Sequence, residues 1–342
     1  MLEAETIIVG GGPAGSTCAW ILRQYGRECI ILDKEMFPRM KLCGGWITPT
    51  VIRDLEIEVN QYPHRFLTFE RLHFHFPTFH FSSKSYQHSI RRYEFDQWLL
   101  ERASTPIYAH EVREIQRDGA FYIIDGKYRC RNLVGAGGTG CPVHRTIFRD
   151  VNPHPKYLQV TTLEQEFPYD YRDANCHLWF FYNRLPGYAW YVPKADGYVN
   201  VGIGAMSVQL KRSQHDIHAH WQYLTSTLSD HGLVKSYSFA PKGYSYFLRN
   251  PVQAGQVDNA FVVGDAAGLA TWDLAEGIGP AVRSAILAAK AIAHEQPYSL
   301  AHLSRYTSGN AIVSWPFKRL FIDRSKAAVN QLYTFRRHGL NF

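Results

Sequence analysis

Residues 6–33 read TIIVGGGPAGSTCAWILRQYGRECIILD. Thr6 to Val9 is a short, β-branched, apolar run, the pattern of a buried parallel strand. It runs into Gly10-Gly11-Gly12-Pro13-Ala14-Gly15. A helical stretch, Ser16 to Tyr25, follows and closes at Gly26, a C-terminal cap. A second apolar run, Cys29 to Leu32, ends in Asp33. The order is strand, GxGxxG, helix, strand, acid. Gly10 permits the tight turn, Gly12 lets backbone N–H groups approach a pyrophosphate at the helix N-terminus, and Gly15 allows close helix–strand packing. Pro13 and Ala14 complete the turn. Asp33 is placed to accept hydrogen bonds from a ribose diol, and Lys34 beside it joins the candidate cofactor set. The stretch predicts a dinucleotide-binding, Rossmann-like domain.

The far end of the chain narrows the cofactor. Asn259 to Val263 is another buried strand, ending in Gly264-Asp265-Ala266-Ala267-Gly268. An Asp at a strand end, before small residues and a helix, suits the ribitol chain of FAD. Gly277-Ile278-Gly279-Pro280 then opens a helix over Ala281 to Ala293. Its N–H groups and positive dipole end would face the flavin and stabilise negative charge on the reduced ring.

Composition bounds the rest. At 342 residues the prior is about two domains. Charge is 37 − 30 = +7, basic but well short of a nucleic-acid-coating protein. Six cysteines without a CxxC pair exclude a disulfide scaffold and fit reduced thiols in a cytoplasmic protein. No apolar run reaches the roughly 18 residues of a spanning helix, and MLEAETIIVGG lacks the basic n-region of a secretory signal. Aromatic content is 14%, which fits either a large β-rich core or an aromatic-lined pocket for a big apolar ligand.

Several further segments carry a resemblance. They are Pro38-Arg39-Met40-Lys41-Leu42-Cys43-Gly44-Gly45; Arg92-Tyr93-Glu94-Phe95-Asp96 before Trp98-Leu99; Gly187-Tyr188-Ala189-Trp190-Tyr191-Val192-Pro193-Lys194 with Asn200-Val201-Gly202-Ile203-Gly204; and Glu276-Gly277-Ile278. Together with Gly264 to Gly268, they resemble the geranylgeranyl reductase family within the p-hydroxybenzoate-hydroxylase superfamily. The resemblance implies an α/β (α+β overall) architecture, with a Rossmann-like FAD-binding domain and an inserted antiparallel β-sheet substrate domain. The expected boundaries are 1–65, 88–150 and 252–295 for the FAD domain, 66–87 and 151–251 for the substrate domain, and 296–342 for a C-terminal helical segment.

By the same resemblance, Arg92 sits near the FAD phosphates and the backbone at Val112 meets the adenine. Arg39 and Lys41 hold the loop before the flavin. Cys43, Gly44 and Gly45 lie beside the isoalloxazine, with Cys43 a candidate catalytic thiol. Residues 135–138 read Gly135-Ala136-Gly137-Gly138 where the superfamily has G-A-D-G. With Gly137 in place of that acid, the electron donor is either NAD(P)H or a ferredoxin-like protein.

The middle of the chain reads as strands. Residues 66–81 alternate imperfectly between aromatic and polar. His73 and His75 share a face there, and a metal site would need further ligands that the sequence does not place; none is expected. Residues 176–182 and 188–203 form further strands, with Asp196-Gly197 a hairpin turn, and residues 243–247 another. Trp179 and Phe181, with Tyr188 and Trp190, are the expected aromatic wall of an apolar pocket. Between Ser314 and Arg337, basic and aromatic residues mix: Trp315, Phe317, Lys318, Arg319, Tyr333, Phe335, Arg336 and Arg337. They read either as a helical cap with a solvated basic face or as contact with an anionic membrane surface.

The expected activity is reduction of C=C bonds in an isoprenoid or other apolar substrate. The alternative is an FAD monooxygenase acting on an aromatic or apolar substrate. A lipid-like small molecule, a redox partner protein and a peripheral membrane are the expected partners of a cytoplasmic enzyme. Nucleic acid is not.

Overall fold

Complete burial of Ile7, Ile8, Leu32 and Ile31 places the first two strands at the centre of a sheet covered on both faces. The computed structural model describes residues 1–214, 216–250, 254–307 and 318–329. In chain order the elements begin with β1 (Leu2–Val9), α1 (Pro13–Gln24), β2 (Cys29–Asp33), β3 (Trp46–Ile47), α2 (Pro49–Asp54), β4 (Leu67–Thr68), β5 (Arg71–His75), β6 (His80–Lys84) and β7 (His88–Ser89). They continue with α3 (Arg92–Ala103), β8 (Ile107–Ala109), β9 (Ile115–Asp118), β10 (Phe121–Ile124), β11 (Tyr128–Gly135), β12 (Gln159–Pro168), β13 (Cys176–Phe180), β14 (Gly187–Lys194) and β15 (Tyr198–Met206). The last are α4 (Ser207–Ser213), α5 (Ile217–Asp230), β16 (Lys242–Phe247), β17 (Gln256–Val257), β18 (Ala260–Val262) and α6 (Ile278–His294).

The first sheet has the order β17-β18-β11-β1-β2-β8, with β10 and β9 extending from β11. Its central pairs β18/β11, β11/β1, β1/β2 and β2/β8 are all parallel. Helix α1 packs on α3 and α6. It begins at Pro13, three residues before the sequence expectation, because proline is pre-set for the first helical turn. Gly26 follows the helix at φ +66°.

The second sheet has the order β16-β12-β15-β14-β13-β5-β6. It is antiparallel except for β5 against β13, which run parallel, a departure from the all-antiparallel expectation. A short third sheet, β3-β7-β4, touches the second where Ser89 Oγ donates to the Pro193 carbonyl. Leu67–Thr68, expected in the substrate domain, pairs in this small sheet with β7. Asp196 (φ 59°) and Gly197 (φ 71°) turn the chain between β14 and β15. Of the C-terminal basic and aromatic segment, Trp315, Phe317, Tyr333, Phe335, Arg336 and Arg337 lie outside the described residues. No helix among the described residues is long and apolar enough to cross a membrane.

Candidate active site

The turn after β1 can be built only from glycine. Gly10 sits at φ +109°, and a Cβ there would lie 2.5 Å from the Ala136 carbonyl oxygen. A Cβ on Gly15 would lie 1.8 Å from the Gly10 oxygen. Asp33 pins the turn: its carboxylate accepts from the Gly11 N–H at 2.7 Å and the Glu35 N–H at 2.9 Å. The N-terminus of α1 therefore opens onto a cleft of about 970 Å³. Gly10, Gly12, Pro13, Ala14, Asp33 and Lys34 line one end of it, and Val112 lies there with His110 and Glu111. Gly15 is fully behind the turn, as its packing role requires.

Two arginines bring positive charge to this turn. Arg39 Nη2 lies 3.3 Å from where a Gly12 Cβ would stand. Arg92, at the start of α3, is only 8% exposed and makes two bonds to Asp96, at 2.6 and 2.7 Å. Burial works against its charge, but Asp96 outweighs it and holds the guanidinium firmly protonated. A pyrophosphate fits here: bare helix N–H groups, a floor that any side chain would fill, and fixed cations beside it.

The cleft continues between the sheets. Cys43 and Gly44 line it, and the Cys43 sulfur accepts from the Gly45 N–H at 3.3 Å. Gly45 (φ +67°) is pressed so tightly on its neighbours that a Cβ would lie 2.1 Å from the Ile90 oxygen and 2.3 Å from Lys194 Nζ. Lys194 is fully buried. It donates to the Ile90 carbonyl at 2.6 Å and pairs with Glu166 at 3.0 Å. Arg91 reaches the same Glu166 at 2.9 Å. Burial pushes the Glu166 carboxyl up, but Lys194 and Arg91 outweigh it and hold it below its usual range. The Cys-Gly-Gly loop and the Trp-x-x-Pro-Lys strand, read separately in the sequence, thus meet in space.

Asp265 lines the cleft, with Gly264 behind it at φ +58°. Burial pushes the Asp265 carboxyl up against the pull of Lys41 and Arg92. Gly277 and Ile278 line the cleft at the start of α6. Gly279 is not among the residues lining the cleft, and its N–H donates to Glu276 Oε1 at 2.8 Å.

The aromatic wall also needs correction. Tyr188 and Trp190 line the cleft, whereas Trp179 and Phe181 do not. The register pairs Trp190 with Leu178 and Tyr188 with Phe180, so Leu178 takes the cleft face. Trp179 points to the other side and packs with Tyr191, Val199 and Val201. Phe181 follows the end of β13 at φ 59° and lies against Phe180 and Phe321. Glycine makes room for the indole that remains: a Cβ on Gly202 would lie 2.2 Å from Trp190 Cζ2. Trp190 Nε1 donates to Asn200 Oδ1 at 2.6 Å, and the Tyr188 hydroxyl donates to the Leu274 carbonyl at 2.5 Å.

Sequence reasoning missed Glu164. It lies on β12, is 3% exposed and lines the cleft beside Trp190, Thr162 and Tyr246. Asn200 Nδ2 donates to its Oε2 at 3.3 Å. Burial pushes its carboxyl up to about 7, against the pull of Asn200, Lys194 and Lys41.

Residues 8–76 match the family described as NAD(P)-binding Rossmann-like domain. The chain is 31% identical to an uncharacterised protein of Methanosarcina barkeri, over 85% of this chain and 75% of that one. It is 25% identical to a menaquinone reductase of Mycobacterium tuberculosis, over 84% and 76%. It is 26% identical to digeranylgeranylglycerophospholipid reductase 1 of Methanopyrus kandleri, over 59% and 58%. Among solved structures, a geranylgeranyl bacteriochlorophyll reductase-like protein of Thermoplasma acidophilum superposes with TM-score 0.73 at 18% identity, over 97% of this chain and 84% of that one. The flavin-dependent brominase Bmp2 superposes with TM-score 0.69 at 17% identity, over 99% and 92%. With reductases of menaquinone and of digeranylgeranylglycerophospholipid among its relatives, and with the glycine turn, the Cys-Gly-Gly loop and the Trp-x-x-Pro-Lys strand converging on one cleft, the chain belongs to the geranylgeranyl reductase family of FAD-dependent oxidoreductases.

Proposed function

We propose that this protein reduces C=C bonds in an isoprenoid chain or a similar apolar substrate. The observation that carries the reading is a buried carboxyl, Glu164, set among Trp190, Leu178, Val192 and Tyr246 in a cleft continuous with the dinucleotide turn. FAD, held by Gly10, Gly12, Asp33, Arg39, Arg92 and Asp265, would supply the hydride for one alkene carbon when bound and reduced.

The chain's own residues supply the rest. Leu178, Val192 and the Trp190 indole present apolar surface to the alkene and exclude water. The indole is fixed by its bond to Asn200 and its fit against Gly202. The second alkene carbon needs a proton. Burial disfavours the Glu164 carboxylate, so a substantial share of these carboxyls still hold one near neutral pH. Tyr188 is a poorer source: its hydroxyl proton is committed to the Leu274 carbonyl, and burial pushes its pKa far up. Cys43 lines the same cleft and positions its loop through the Gly45 N–H.

The electron donor in this reading is NAD(P)H or a ferredoxin-like protein. Gly137 favours the second, because it stands where the resembled hydroxylases carry an acid that helps position FAD and nicotinamide. A peripheral membrane contact through the basic and aromatic C-terminal residues belongs to the same reading, since a lipid substrate is taken from a bilayer. The competing reading is an FAD monooxygenase, which the likeness to a flavin-dependent brominase leaves open because fold alone does not fix the reaction. The test is anaerobic. Protein with its flavin reduced is mixed with prenylated lipids, and the oxidised-flavin absorbance is followed. Its return without oxygen supports the reductase, and a flavin that stays reduced until air is admitted overturns it.

A further inference from the structure

The face of the second sheet opposite the cleft carries an unassigned imidazole cluster. The β5/β13 register sets His73 beside His177, and His75 beside Trp179. The rings form a stack: His73 over His177 at 4.4 Å between centroids, and His75 over Trp179 at 5.1 Å. Asp173, from the loop before β13, completes the group. Its Oδ2 lies 3.0 Å from His177 Nε2, and His177 Nδ1 lies 3.0 Å from His75 Nε2.

Outer partners already orient these groups. Ser82 Oγ lies 2.9 Å from His73 Nδ1, which leaves Nε2 to face the cluster. The N–H and side-chain amide of Asn175 donate to Asp173 Oδ1 at 2.8 and 3.1 Å, which leaves Oδ2. This is the arrangement that supports metal-binding histidines and carboxylates. One donor atom from each of His73, Asp173 and His177 lies within 4.8 Å of the others. Ligand atoms about a tetrahedral ion with bonds of about 2.0–2.1 Å stand about 3.3 Å apart, so modest side-chain rotation closes the set.

We propose that His73, His177 and Asp173 bind a divalent first-row transition ion of the zinc type, with His75 as the outer partner of His177. Two imidazoles with one carboxylate select such an ion over magnesium or calcium, which demand oxygen ligands. The ion would tie the β5–β6 hairpin, which joins the sheet along one edge, to β13 and the Asp173 loop. None of His73, His75, His177 and Asp173 lines the cleft, so this inference is independent of the proposed reaction.

The experiment uses flavin-loaded protein freed of metal by a chelator. Zinc chloride and, separately, magnesium chloride are titrated by calorimetry. One zinc per chain, no magnesium and a raised melting temperature are expected. His177→Gln, His73→Gln and Asp173→Asn should each weaken zinc at least tenfold, while His218→Gln, at an exposed position, leaves it unchanged. Cobalt(II) should give visible tetrahedral bands in the parent and not in His177→Gln. Retained flavin absorbance checks that each variant folds, and Asp173→Asn, the mildest change, decides if the histidine variants lose it. No zinc uptake, magnesium uptake of equal strength, or zinc that survives Asp173→Asn and the histidine substitutions unchanged overturns the proposal.

Discussion

Glu164 is a carboxyl with aromatic and aliphatic neighbours and one amide partner. Its proton is available below about pH 7 and lost above it. If that proton goes to the alkene, the rate falls as pH rises through about 7. Glu164→Gln should lower kcat tenfold or more with little change in KM and remove that limb of the profile, measured as steady-state rate from pH 5 to 9. The same group has a stability signature. Its folded pKa lies above the ordinary value, so the folded state holds the extra proton between about 4.5 and 7. Stability from that proton is complete at low pH and lost as pH rises through about 7. Denaturant unfolding should therefore find Glu164→Gln more stable than the parent at pH 8, by on the order of 3 kcal/mol at most, and no more stable at pH 4. Gly202→Val tests the wall at the same scale. Its side chain would collide with the Trp190 indole, so KM for an apolar substrate should rise while flavin content, read by absorbance, stays the same.

At the scale of elements, the site depends on a loop meeting a strand. Gly45 on Lys194, and Lys194 on Glu166 and the Ile90 carbonyl, join the Cys43 loop to β14. Removing one partner of a buried pair costs about 3–5 kcal/mol, because the other charge stays buried. Arg91 still reaches Glu166, so Lys194→Met should fall near the low end of that range in denaturant unfolding. It should also release flavin at a lower temperature in a thermal scan, because the loop loses its anchor. This scale also marks what the sequence made legible. The strands flanking the glycine turn, the Asp196-Gly197 hairpin and the α6 segment each carry a local signal, since turn glycines and apolar runs act on their own neighbours. Pocket lining does not. Which of Leu178 and Trp179 faces the cleft depends on one residue of parity in β13, set by the β14 register rather than by local pattern. Glu164 was invisible for a related reason: in TTLEQEF it looks like an alternating surface acid, and the Trp190 indole and Asn200 amide beside it come from other strands.

At the scale of the molecule, a parallel sheet and a largely antiparallel sheet enclose one continuous cleft, with a dinucleotide turn at one end and an apolar wall at the other. The central pairs of the first sheet follow from uninterrupted apolar runs, which a parallel sheet buried on both faces requires. The meeting of two sequence segments about 150 residues apart, at Gly45 and Lys194, follows from topology that no local pattern encodes. That cleft is where the proposed reduction would be carried out. The direct test is the mass of the product. Protein reduced without air is incubated with prenylated lipids and quinones, and a parallel sample is exposed to air. A gain of two hydrogens per event in the sample without air is the predicted result. A gain of one oxygen, found only in air, would contradict it.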